Sequence, residues 1–178
     1  MRHGVEGEPG IFPDPFARLF VGVNRWLRRH IGRPVRPEAE RIGGSMEFHH
    51  IDDTQGDAPE ELAEHFQGQA RIQAFANPFP ENGPAVFAVH FQAGGRSKPH
   101  VHGNGQVLHV TAGRGIVGTD SGRREVGPGD VVVVMPEEWH WHGGAPDSPM
   151  THVTVQMAGP DSIDWDVEER DWAGDYGP

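Results

Sequence analysis

Gly94-Gly95-Arg96-Ser97-Lys98-Pro99-His100-Val101-His102-Gly103-Asn104-Gly105-Gln106-Val107-Leu108-His109-Val110-Thr111-Ala112-Gly113 is the stretch that decides the fold. Alternate residues of a strand share a face, so His100 and His102 project together while Val101 turns away. Two imidazoles on one face make half of a metal site. Gln106 follows a Gly-Asn-Gly turn and, if it opens the next strand, brings its amide oxygen toward the same point. A second run, Gly129-Asp130-Val131-Val132-Val133-Val134-Met135-Pro136-Glu137-Glu138-Trp139-His140-Trp141-His142-Gly143, repeats the H-x-H spacing. One of its histidines would complete a shell of three His and one Gln. A single H-x-H pair reads as well as two surface histidines; two pairs, each flanked by strand and turn signals, weaken that reading.

Outward from these runs, Gln69–Phe75, Ala85–Gln92, Gln106–Thr111, Gly115–Thr119, Asp130–Val134 and Met150–Met157 are rich in strand formers. Asn77-Pro78, Asn82-Gly83-Pro84, Gly94-Gly95, Ser121-Gly122, Gly127-Pro128-Gly129 and Gly143-Gly144 punctuate them as turns. With no substantial helix between the strands, the expectation is an all-β chain, an antiparallel sandwich or barrel.

The composition agrees. Gly 25 and Pro 16 in 178 residues are too many turn formers for a helical bundle, and 35% hydrophobic content is that of a globular chain. Cysteine is absent, which excludes disulfides, thiolate nucleophiles and Cys-zinc sites, while 12 His make imidazole the available ligand and acid/base group. A net charge of −11 argues against nucleic-acid binding, which needs a basic footprint. No apolar run is long enough for a membrane span and no secretory signal is evident, so the expected location is cytoplasmic.

The charge is uneven. Residues 1–45 hold eight Arg against five acids, and the remainder is strongly acidic. Asp14 and Pro15 can start a helix over 14–31, whose Phe16, Leu19, Phe20, Val23, Trp26, Leu27 and Ile31 recur at helical spacing. The expectation is an N-terminal extension over 1–45, read as non-native with Met46 as the true start, as a membrane-surface or partner-docking helix, or as a poorly ordered genuine tail. A polar lead-in over 46–65, with one short helix over Ala58–His65, precedes a barrel over 66–157. An acidic tail over 158–178 carries Trp165 and Trp172 as packing anchors.

The chain resembles the cupin superfamily, whose first motif is G-x5-H-x-H-x3,4-E-x6-G. Gly94, His100, His102, Gln106 and Gly113 stand at those spacings, with Gln in place of Glu. The second motif, G-x5-P-x-G-x2-H, matches at Gly129 and His140, but Met135 and Glu137 replace its Pro and Gly. A closer resemblance is to small bacterial cupins related to manganese-dependent hydroxynitrile lyases and to those associated with carboxymuconolactone decarboxylase domains. It rests on Gln106 together with His140-Trp141-His142-Gly143-Gly144, Met150-Thr151-His152-Val153-Thr154-Val155-Gln156 and Ile163-Asp164-Trp165.

The resemblance implies a cupin jelly-roll barrel, with the N-terminal extension outside it, and a homodimer or homotetramer. It implies one divalent metal ion per chain held by His100, His102, Gln106 and His140, with Mn or Fe favoured and Ni, Co or Zn open. All four ligands are neutral, so the ion keeps its full charge, which suits Lewis-acid work. His152 and Gln156 share a strand face; by the resemblance they are catalytic, His152 as general acid/base and Gln156 for polar positioning. His142, Ser97, Val89, Leu108 and Val110 are expected around the pocket. His90 and His109 are read as non-ligands, and His49, His50 and His65 as exposed. The expected substrate is a small organic molecule, with hydroxynitrile lyase activity the sharpest form. A cupin dioxygenase or decarboxylase, or a non-catalytic metal- or ligand-binding barrel, is the alternative.

Overall fold

The computed structural model describes residues 40–42, 46–58, 60–75, 83–159 and 162–170. The expected helix over 14–31 and Trp172 lie outside these residues.

The chain order is β1 (Glu40–Ile42), β2 (Met46–Phe48), α1 (Glu60–Ala63), β3 (Phe66–Gln67), β4 (Ala70–Ala74) and β5 (Pro84–Phe91). It continues with β6 (Arg96–Ser97), β7 (Gln106–Gly113), β8 (Gly115–Thr119), β9 (Gly122–Val126), β10 (Val131–Val134), β11 (His140–Gly144) and β12 (Met150–Met157). Two five-stranded antiparallel sheets form, ordered β10-β7-β12-β5-β4 and β3-β6-β11-β8-β9, beside the small β1-β2 ribbon. This is the all-β jelly roll that the sequence leads one to expect.

Alternation places the site. On β7, Gln106, Leu108 and Val110 are buried while Val107 and His109 are exposed. On β12, His152, Thr154 and Gln156 are buried, and Val155 and Met157 are exposed. The registers Gln156↔Gln106 and His152↔Val89 bring these inward rows side by side. A register shift between Thr151 and His152 re-aims the β12 row, as bulges do. On β11 every residue is buried, and His140 and His142 share one face. Trp141, on the other face, packs where Gly118 leaves it room, since a Cβ at 118 would stand 2.3 Å from the indole nitrogen.

The core between the sheets is Val89, Phe91, Leu108, Val110, Val117, Val126 and Met150. Each such side chain contributes about 1.5–3 kcal/mol by leaving water. A smaller cluster of Leu62, Ile72 and Ala74, with Phe66 and Phe87 against it, sits under α1. The outer face of β4 is covered by the preceding segment. Asp57 bridges Ile72, and Gln73 bonds both the His50 carbonyl and the Asp52 amide. Among the described residues nothing covers the outer face across β10-β7-β12, where Val133, Val107 and Val155 align in one row and Val133 is 63% exposed.

Among the described residues no helix is long and apolar enough to cross a membrane.

Candidate metal centre

His100, His102 and His140 converge, with one ligand atom from each lying within 4.8 Å of the others, and all three are buried. Their convergence comes from the main chain. His100 and His140 form an isolated antiparallel bridge, with hydrogen bonds of 2.9 and 3.1 Å in the two directions. The Gly103-Asn104-Gly105 turn then reverses the chain into β7. Gly105 has a φ of 75°, and a Cβ there would meet the Val134 carbonyl at 2.7 Å, so only glycine fits.

Each imidazole is oriented by a backbone carbonyl. His100 Nδ1 donates to Lys98 O at 2.8 Å, His140 Nδ1 to Glu138 O at 2.8 Å, and His102 Nδ1 to Ser162 O. A carbonyl only accepts, so each Nδ1 carries its proton and each Nε2 presents a lone pair. Burial keeps these rings neutral. It pushes His102 and His140 down to about 4, and His100 well below the usual imidazole value with further help from neighbouring histidines. Neutral imidazoles with free Nε2 atoms, each held from behind, are what metal ligation requires.

Gln106 can add an oxygen donor to the three histidines. Its amide NH2 donates to Gln156 Oε1 at 3.0 Å, which turns Oε1 to within 3.3 Å of His140 Nε2. Both of those atoms are acceptors. Two lone pairs facing one another repel, and His102 Nε2 has no hydrogen-bond partner among the described residues. A cation between them removes both penalties, so the residues present fit a divalent metal ion. A nitrogen and oxygen donor set without thiolate suits the first-row divalent metals generally.

Beside this cluster lies a cavity of about 60 Å3. Its polar lining, here called the floor, is Ser97, His100, Gln106, His142, Thr154 and Gln156. Its apolar lining, here called the roof, is Leu62, Phe66, Ile72, Phe87, Val89, Ile163 and Trp165. No residue with a formal charge is among these.

The remaining expected site residues divide. Ser97, Val89, His142 and Gln156 line the cavity. Leu108 and Val110 do not; they belong to the core with Val117 and Val126. Each two-residue step along β7 carries the side chain roughly 6–7 Å from Gln106, away from the mouth. His152 is fully buried behind His142, ring centroids 4.8 Å apart, with Nδ1 3.2 Å from Thr154 Oγ1 and Nε2 unpartnered among the described residues. Burial pushes it down to about 3. His142 lacks a partner at both ring nitrogens among the described residues, and burial holds it far below the usual value.

His90 and His109 stand away from the cluster. His90 is buried on the outer side of β5 against Thr151 and Gln73. His65, expected to be exposed, instead stacks on Trp165 at 4.5 Å and is half-buried. The sequence reading missed the Ser162 carbonyl, Thr154, and the roof residues Leu62, Phe66, Ile72, Phe87 and Ile163. Their one sequence signal is hydrophobicity, which core residues share.

The chain has relatives among known proteins. Residues 87–156 match the Cupin domain family. The (R)-mandelonitrile lyase of Granulicella tundricola is 41% identical over 108 residues, spanning 58% of this chain and 80% of that protein. A cupin-like protein from Thermotoga maritima superposes with a TM-score of 0.55 at 27% identity, over 61% of this chain and 84% of that one. The polyketide cyclase RemF from Streptomyces resistomycificus does so with a TM-score of 0.56 at 16% identity, over 70% of this chain and 89% of that one, a likeness of fold alone.

Proposed function

The chain belongs to the cupin superfamily, and on that premise we propose that it is a mononuclear metal-dependent enzyme of the hydroxynitrile lyase type. The observation that carries this is the convergence of three carbonyl-anchored histidines with Gln106 Oε1. The 41% identity to an (R)-mandelonitrile lyase supports the reaction type.

In this reading His100, His102, Gln106 and His140 hold one divalent ion, with manganese or iron favoured. The bound ion supplies Lewis acidity toward a substrate oxygen. The chain's residues do the rest. His142 borders the cavity with His152 beside it, and each has a ring nitrogen without a partner among the described residues, so the pair is placed to take up the proton of a cyanohydrin hydroxyl. The bond from the carbinol carbon to cyanide breaks, its electron pair leaves with cyanide, and the same proton passes to cyanide. Gln156 keeps the Gln106 oxygen turned toward His140. The apolar roof excludes water from the charged intermediate stage.

The aligned Val133, Val107 and Val155 face supports pairing of copies of this chain through that sheet.

The test is elemental analysis of the full chain with cyanohydrin cleavage and oxygen uptake measured on the same sample. About one Mn or Fe per chain, cleavage that stops on chelation and no oxygen uptake is the expected result. Metal-dependent oxygen consumption without cleavage would move the assignment to an oxygenase. Bound metal with no turnover would make the chain a binding barrel.

A further inference from the structure

The cavity is small for the ring that a mandelonitrile carries. One water-sized group needs roughly 10–15 Å3 of such space, so about 60 Å3 holds four to six non-hydrogen atoms. A cavity known to take benzene measures roughly 150 Å3. An aromatic ring together with the carbon bearing the reacting oxygen exceeds what this cavity provides.

The side chain that sets the limit is identifiable. Among the apolar lining residues, Leu62, Phe66, Ile163 and Trp165 lie outside the two long sheet strands that flank the cavity, Ile72 lies on β4, and Val89 on β5 is a smaller side chain than Phe87. Phe87 lies on β5 itself, opposite Thr154 of β12 on the floor, and packs against both hydrophobic clusters. Phe87 is held in place by Ala74 on β4 and Thr154 on β12 as direct cross-strand neighbours. The ring is only partly buried, but its packing against both clusters limits how far it can swing aside. Removing it opens the cavity into the space under α1 without touching a ligand histidine.

We infer that this pocket takes short-chain aliphatic hydroxy or carbonyl compounds and excludes aryl ones, with Phe87 as the specificity-determining residue. The inference rests on the proposed metal-dependent reading of the same site and narrows its substrate class. The roof is apolar and the floor carries no formal charge, so the favoured ligand has an alkyl end of one to a few carbons and a single oxygen-bearing head.

The test uses the manganese-loaded full chain and two probes with one chelating head, acetohydroxamate and benzohydroxamate, titrated by calorimetry. The wild type is expected to bind acetohydroxamate about tenfold or more tightly than benzohydroxamate. Phe87→Ala should gain about tenfold or more for benzohydroxamate and change little for acetohydroxamate. Phe87→Leu, a smaller change, guards against loss of folding and should show the same gain in weaker form. Benzohydroxamate binding the wild type as tightly as acetohydroxamate would overturn the inference, as would failure of both probes to bind or no gain in either folded variant. Cleavage of acetone cyanohydrin and mandelonitrile is followed in parallel. Retained hydroxamate preference without any cleavage supports the size limit and removes the lyase reading. Efficient mandelonitrile cleavage removes the size limit and keeps the lyase reading.

Discussion

His100 and His140 are hydrogen-bonded to each other through their backbones in both directions, although 40 residues separate them, and their rings lie 4.3 Å apart. The main chain therefore sets the spacing of two candidate ligands without any ion. His100→Ala leaves that backbone bridge intact and removes only a ring. The expected outcome is a folded chain whose metal content falls from about one per chain to below roughly a tenth, read by elemental analysis beside circular dichroism. Full metal retention would show that the ion sits elsewhere.

Gln156 acts on the site through Gln106. Without it, the Gln106 amide has no fixed partner and is free to turn its NH2 toward His140. Gln156→Leu is expected to weaken metal binding about 10–100-fold, the usual penalty for losing a partner that orients a ligand. Competition with a metal indicator measures it. An unchanged affinity would make Gln156 a wall residue only.

Glu137 has a φ of 62°, a left-handed conformation, and its amide donates to the His102 carbonyl at 2.9 Å. The cupin pattern has glycine at this place. The loop thus keeps the shape a glycine would take, at roughly 1–2 kcal/mol for a side-chain-bearing residue. Glu137→Gly loses about 0.5–1 kcal/mol to unfolded-chain freedom, so it should be as stable as the wild type or more so, by up to about 1 kcal/mol. Glu137→Val should be less stable by more than about 1 kcal/mol. Denaturant melts of the two variants decide this, and equal stabilities would contradict the strain.

His152 titrates near 3 when folded because burial disfavours its charged form, against 6.5 ordinarily. The unfolded chain therefore binds the extra proton first as pH falls. The contribution of the neutral buried ring is present above about 6.5 and is lost on acidification toward 3, at up to roughly 1.4 kcal/mol per pH unit. His152→Gln removes this dependence. The stability advantage of the wild type over that variant should shrink between pH 7 and pH 4 in metal-free melts. A constant difference would mean that the ring is not held neutral.

The parts of this site visible in the sequence are those whose spacing has a strand period. His100 and His102, the turn to Gln106, and the His152 and Gln156 row each follow from alternation, and the longer strands were placed to within a residue or two. The strands β3, β6 and β9 were not. Two residues carry no period, and β9 is a charged edge strand with four of its five positions exposed. β11 was hidden for the opposite reason, since all five of its residues are buried and show no alternation. The carbonyl that holds His102 belongs to Ser162, and a backbone atom leaves no trace in residue identity. Leu108 and Val110 share the inward face with Gln106, but the sequence does not say how far along a strand the mouth lies.

The position of β12 has a consequence for biosynthesis. β12, the last strand among the described residues, sits in the centre of its sheet, between β5 and β7. Until it emerges from the ribosome, β4-β5 and β7-β10 are two ribbons, each with an unpaired edge toward the other. Every ligand of the candidate metal centre has by then been synthesised, yet the wall that carries Gln156 and His152 does not exist. Closure is thus a late, long-range event of the slow kind. A message truncated before the codons of β12 would leave two adhesive edges open to other chains, which is the state from which aggregation starts.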